Sequence, residues 1–176
     1  YTKMADRAKK QTIQRAEKTT SHTASELGFL TASSINALDI LSLDRNMNEM
    51  LSQDPDDHPI PLQLRDYAKI VNIANTLQRN KDFYRVRLYV HDEFVYANDH
   101  VNLFGMSQAS REHWGEILSR SGRTAYWFIP QADENSAEAP PLVSVARRML
   151  NLDNFTRTNG ISRIDILQST LTDKLT

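Results

Sequence analysis

Two apolar periods divide this chain, and the change from one to the other limits the fold more than any other feature. Leu27, Leu30, Ile35, Leu38 and Leu41 recur every three to five positions, the spacing of a helix with one buried stripe. A second stripe (Tyr67, Ile70, Val71, Ala74, Leu77) predicts a helix over about 62–79, with Arg65, Asp66 and Lys69 on its other face. Beyond residue 85 the period falls to two. Arg87, Tyr89 and His91 alternate with Leu88 and Val90, and a second short β-rich run, 94–97, follows the polar break His91-Asp92-Glu93, so a hairpin is expected here.

Further β-runs lie at "TAYWFIP" (Thr124–Pro130), "PLVSVARRML" (Pro141–Leu150) and "GISRIDIL" (Gly160–Leu167). The last two are joined by the turn-rich "NLDNFTRTNG" and read as one long hairpin. A helix is expected near Ser107–Ser119, capped by Ser107, and a short one over 44–52. The second stops at "QDPDDHPIP", where three prolines enforce a turn. Helices first and about five antiparallel, meandering strands afterwards predict an α+β fold. We divide the chain into 1–52, a long N-terminal helix with a short following one, and 53–176, the sheet-bearing module.

The chain has 176 residues, 40% of them hydrophobic, enough for one core; a mean hydropathy of −0.54 implies a well-hydrated surface. A net charge of −1 gives no global attraction to nucleic acid. Without cysteine there are no disulfides, thiol nucleophiles or thiolate metal sites. No run approaches the roughly 20 apolar residues that span a bilayer. The chain opens at Tyr1 rather than Met and stops at Thr176 just after a strand, which reads as a piece of a larger protein. Residues 1–21 are basic (Lys3, Arg7, Lys9, Lys10, Arg15, Lys18 against Asp6 and Glu17). They predict a solvated helix, or one that leaves a membrane surface or pairs with its own copy.

Catalytic patterns are thin. The five histidines lack metal-ligand spacing, Asp56-Asp57-His58 reads as a solvated turn, and Ser144 has no nucleophile-elbow context. No cofactor and no enzymatic activity are expected of this segment. Aromatic residues and arginines stand out instead, including Arg123. Aromatic walls with forked guanidinium donors suit a carboxylate or a sugar. On 141–150, Val143, Val145 and Arg147 share one face and Ser144, Ala146 and Arg148 the other, so only one of the paired arginines can enter a pocket. Arg163 and Asp165, on one face of the last strand, read as a charge ladder with a neighbouring strand.

Three stretches, "INALDILSLDRNMNEMLSQ", "YRVRLYVHDEFVYANDHVNLFG" and "PLVSVARRMLNLDNFTRTNGISRIDIL", resemble the extracytoplasmic Cache sensor domain of bacterial signalling proteins. They are most similar to that of the YesM-like sensor histidine kinases of Gram-positive bacteria. The resemblance implies a PAS-like antiparallel sheet packed on a long N-terminal helix, here the membrane-distal module, with a membrane-anchored and homodimeric parent kinase. In Cache domains that bind amino acids, a helix carries Arg-x-Trp-Tyr and a later strand an aspartate. In "SREHWGEIL" Trp114 matches, Arg111 is one position too early, and Gly115 replaces the tyrosine; no aspartate follows "AYWFIP" until Asp133. An amino-acid ligand is therefore disfavoured, because a buried ammonium needs its carboxylate.

The reading is a ligand-sensing extracytoplasmic domain that takes a small neutral or anionic molecule and no nucleic acid. Arg87, Tyr89, Tyr96, Arg111, Trp114, Tyr126 and one of Arg147 or Arg148 are expected to line its pocket. The alternative is a protein-interaction or dimerisation module with no small ligand.

Overall fold

A single helix, α1 (Thr2–Leu43), opens the chain in the computed structural model, which describes residues 2–121, 124–131 and 139–176. The side chains up to His22 are exposed, and burial begins in earnest at Leu30. From there Leu30, Leu38 and Leu41 of the expected stripe are buried together with Ser34, Ala37 and Ser42, while Leu27 and Ile35 are half-buried. Asp44 ends α1 and caps α2 (Arg45–Leu51), its carboxylate accepting the Met47 N–H at 2.7 Å. After the proline turn comes α3 (Ile60–Gln78), with Pro61 in its first turn, where the missing N–H costs nothing. Among the described residues no helix is long and apolar enough to cross a membrane.

Five strands follow: β1 (Arg85–Val90), β2 (Leu103–Gly105), β3 (Tyr126–Phe128), β4 (Leu142–Leu150) and β5 (Thr158–Leu167). Between β2 and β3 lie α4 (Met106–Ser110) and α5 (His113–Arg120), and α6 (Gln168–Leu175) follows β5. The sheet order is β2-β1-β5-β4-β3, with β5 at the centre. The β4–β5 hairpin and the β1–β5 and β3–β4 pairs are antiparallel, whereas β1 and β2 run parallel. The architecture is α+β with a mixed sheet.

The parallel pair corrects the expected hairpin at 86–99. Phe94 and Tyr96 stack on each other at 4.9 Å, and with Ala97 they are buried in the core from a turn, not from a strand. Gln63 of α3 takes the Val95 N–H at 2.9 Å, so a helix side chain satisfies that amide in place of a strand partner. Asp99 then gathers the N–H groups of Val101, Asn102 and Leu103 on one carboxylate oxygen, around a left-handed His100 (φ 60°). The chain re-enters the sheet beside β1 in the same direction, over a connection long enough for a parallel crossover.

The expected helix over 107–119 is also two. Gly105 precedes α4, and Ser107 does not cap it; its hydroxyl and N–H both bond Asp92. Asp66, assigned to the outer face of α3, is buried. It accepts the His58 Nε2–H at 2.8 Å, so of Asp56-Asp57-His58 the two aspartates are exposed and His58 is half-buried. Gln63 fastens the same turn, donating to the carbonyls of Pro55 and His58.

Strand alternation sorts the sheet into two faces. Val86, Leu88, Val90, Val145, Met149, Ile164 and Ile166 pack under α1, α2 and α3 in the larger core. Tyr89, Phe104, Ala146 and Ile161 face the other way, beneath Ala109, Trp114 and Leu118 of α4 and α5. A one-residue slip would exchange these sets, so burial on both faces pins the register.

Leu38→Ala, at a fully buried position of α1, should lose about 2–5 kcal/mol in urea unfolding. Ile13→Ala, on the exposed half of the same helix, should stay within about 0.5 kcal/mol. Equal losses would mean that the first half of α1 packs as tightly as the second.

The Tyr96 hydroxyl is buried without a hydrogen-bond partner; burial first, and the nearby Asp66 charge second, push its pKa well above the ordinary 10.0. Tyr67 moves in the same direction, through desolvation and then Asp99. Above the ordinary tyrosine pKa the unfolded chain releases these protons while the fold retains them, so stability should fall as pH rises past about 10. Tyr96→Phe discards no hydrogen bond. It should match or exceed the parent at neutral pH, by up to about 1 kcal/mol, and lose less stability in alkali. Denaturation on both sides of the tyrosine pKa tests this, and a loss at neutral pH would show that the hydroxyl has a partner.

Candidate functional site

The sheet face turned away from α1 carries a buried cluster of charged and polar side chains, and cross-strand register explains how it assembles. Arg85 of β1 stands opposite Asp165 of β5, Arg87 opposite Arg163, Ser144 of β4 opposite Asp165, and Ala146 opposite Arg163. Two arginines facing each other directly would repel. Asp165, two residues along β5, resolves that conflict.

The Asp165 side chain is fully buried. Its Oδ1 accepts from the Ser144 hydroxyl at 2.6 Å and from Arg163 Nε at 2.7 Å; its Oδ2 accepts from Arg87 Nε at 2.7 Å. Arg85 Nε lies 3.6 Å from Oδ2, close enough for an ion pair, but is buried with no hydrogen bond of its own. Arg163 also donates to Tyr89 Oη and to Ser144 Oγ, each at 3.3 Å. Among the described residues three guanidiniums thus share one carboxylate, three positive charges against one negative.

Aromatic rings close over this cluster. The Arg163 guanidinium carbon sits 5.2 Å from the Trp114 ring centre and 5.1 Å from that of Phe128; Arg87 lies 5.2 Å from Phe104. Trp114 stacks on Phe128 at 4.9 Å and meets Tyr89 edge-on at 5.2 Å, while Tyr126 stacks on Phe128 at 5.6 Å. Cation–π attraction holds the guanidiniums in a place that is poor in water, where each contact is stronger than at an exposed site. Arg163 fills the space beneath the rings. Arg87 and Arg85 are more open, with side chains 16% and 28% exposed, so they form the accessible edge.

The residues expected to line a pocket therefore divide. Arg87, Tyr89, Trp114 and Tyr126 come together on this face. Arg148 is half-buried on the same face by alternation, whereas Arg147 points to α1 and pairs with Asp39. Of the two, Arg148 alone lies on this face. Tyr96 is corrected: it lies in the core on the opposite side of the sheet, stacked on Phe94 and Tyr67. Arg111 is corrected too, being exposed at the break between α4 and α5. Arg123 and Asp133 lie outside the described residues.

Sequence reasoning missed Arg85, Ser144, Phe104 and Phe128 as members, and took Arg163 and Asp165 for an ordinary ladder. One signal was available: two charges inside the apolar run Ile161–Ile166 belong to a strand buried on both faces, and such charges must pair within the fold. The glycine at 115 also has a reason. A Cβ there would stand 1.9 Å from the Ala109 carbonyl oxygen, so α5 can cross α4 this closely only without a side chain.

Two open clefts lie elsewhere. One of about 290 Å³ is lined by Glu49, His58, Arg65, Asp66 and Lys69 among others. One of about 490 Å³, at the β4–β5 turn, includes Asp54, His91, Glu93 and Arg157. None of the residues expected to line a pocket lines either cleft.

Asp165→Asn keeps the shape of the side chain and removes the charge that offsets three guanidiniums. It should cost about 3–5 kcal/mol in chemical denaturation, with partial recovery when combined with Arg163→Met. An Asp165→Asn protein as stable as the parent would show that solvent, not Asp165, neutralises the cluster.

No family model and no curated protein sequence matches this chain. Among solved structures it is similar to the crystal structure of the E. coli DcuS sensor domain, with a TM-score of 0.54 and 10% sequence identity. The match covers 84% of this chain and 96% of that one. At that identity the likeness shows the fold alone: the chain shares the overall fold of that domain, built here from a long N-terminal helix on a five-stranded mixed sheet.

Proposed function

We propose that this chain is the extracytoplasmic ligand-sensing domain of a membrane-anchored, dimeric sensor histidine kinase of the YesM-like kind. It takes a small anionic or neutral molecule at the edge of the aromatic face and passes the event to the kinase through α1. The observation that carries this is the imbalance at Asp165 among the described residues, where Arg85, Arg87 and Arg163 surround one carboxylate and Arg85 Nε makes no hydrogen bond. A buried excess of positive charge is costly until an anion joins it, and forked donors suit a carboxylate. The sensor fold shared with the DcuS domain supports the same reading. In this reading the domain is not itself an enzyme; the kinase activity belongs to the parent.

A route to α1 exists in one strand. Ser144 and Ala146 of β4 belong to the ligand face, and Arg147 beside them reaches through the opposite face to Asp39 of α1. A ligand signals only through differential affinity for two arrangements, so what matters is whether binding shifts β4 relative to α1.

A second reading has its own observation. Phe29, Ile40 and Leu43 of α1 are 68%, 46% and 63% exposed and share the helix side away from the core. A protein-interaction or dimerisation module without a small ligand would use that side.

A thermal-shift screen of organic acids, sugar acids, neutral sugars, amino acids and peptides separates the two. An anionic compound should raise the melting point, by about 2.7 kcal/mol of added stability at a hundredfold excess over Kd. Arg85→Gln, at a side chain whose Nε makes no hydrogen bond, should keep the fold and weaken binding by about tenfold or more. A response to cationic compounds alone, or none to any compound with self-association lost on Ile40→Glu, would favour the second reading.

A further inference from the structure

We propose that the exposed first half of α1 is a docking strip for an anionic lipid surface. The six cations of this segment are not spread evenly around the helix. At 100° per residue, Lys3, Arg7, Lys10 and Lys18 fall within an arc of about 80°, with Glu17 inside it, Asp6 beside one margin, and Arg15 and Lys9 outside it. The opposite side carries the small residues Ala5, Ala8, Thr12, Ala16 and Thr19, with Lys9 next to Ala16. The Thr12 and Thr19 hydroxyls bond back to the carbonyls of Ala8 and Arg15, so they offer no donor outward. All four cations are exposed, and none enters an ion pair among the described residues.

The charge belongs to this segment, not to the molecule. Residues 1–21 hold six basic and two acidic side chains, a net +4; the remaining 22–176 hold 15 basic and 20 acidic, a net −5. Distance keeps the two apart. Lys18 precedes Leu30, the first buried residue of α1, by twelve positions, about 18 Å along the axis. That is about two Debye lengths at physiological salt, so the acidic body does not cancel the strip.

A flat array of phosphates matches a straight row of cations, and each Lys or Arg close to an anionic lipid surface is attracted by about 1 kcal/mol. The choice of lipid over other polyanions rests on the membrane-anchored reading above. The apolar content of the strip is low, Met4 and Ile13 being the large exposed groups, so attachment is electrostatic and lies at the headgroups.

Co-sedimentation of the whole chain with vesicles tests this. Vesicles of equal parts phosphatidylcholine and phosphatidylglycerol should carry the protein down at low salt, and phosphatidylcholine alone should not. Replacing Lys3, Arg7, Lys10 and Lys18 together by Gln should weaken the partition by on the order of a hundredfold or more. Replacing Lys69, Arg79, Lys81 and Arg120, exposed cations of the body, should change it little. Conservative Lys3→Arg, Lys10→Arg and Lys18→Arg changes should retain binding, and helicity by circular dichroism separates lost charge from a lost helix. Equal binding to neutral vesicles, an equal loss in the body variant, or tighter binding to a DNA duplex at the same salt would each overturn the proposal. The ligand-induced thermal shift should persist in the strip variant, so this inference and the sensing function can fail separately.

Discussion

The central strand β5 is covered on both faces, and its two charges must be satisfied from inside the sheet. That constraint organises the rest. Asp165 is reached by Arg87 and Arg85 from β1, by Ser144 from β4 and by Arg163 from its own strand, so one carboxylate ties the three inner strands together. A buried ion cluster of this kind is weak evidence for stability, since apolar side chains of equal size often do as well. Its value lies in direction: it sets a net positive, aromatic-capped patch at one defined place on the face that α4 and α5 cover.

The two faces of the sheet do different work. One is an apolar seat for α1, α2 and α3, with the His58–Asp66 and Arg147–Asp39 contacts at its margins. The other concentrates charge under aromatic rings, and its neighbouring helices are short and joined by a break. Residues alternating along β4 belong to both, so a disturbance on the charged face has a covalent path of one residue to the helix side. Beyond the seat, α1 continues without a core, and its exposed half is governed by charge rather than burial.

Much of this was legible in the chain. The stripe Leu27–Leu41, the short helix after it, the proline turn and the long terminal hairpin all follow from local period and turn chemistry, which act over a few residues. The hairpin after β1 was misread for a physical reason. Phe94 and Tyr96 have strand spacing, yet the burial available beside α3, with Gln63 supplying the backbone acceptor, outweighs a local β preference. Asp66 was placed outside by its charge, and only its partner His58, eight residues earlier, lets it be buried.

What the sequence determined by itself was the order of helices and strands and the sets of residues that share a side: Arg87 with Tyr89, Arg163 with Asp165, and Arg147 apart from Arg148. Period and chain geometry impose those sets wherever the strands end up. Which side faces α1, which strand borders which, and therefore that three arginines meet over one aspartate, were decided only by the tertiary structure. Those relations join residues as far apart as Arg87 and Asp165, and their pairing depends on register across strands, a non-local quantity fixed by burial on both faces of the sheet.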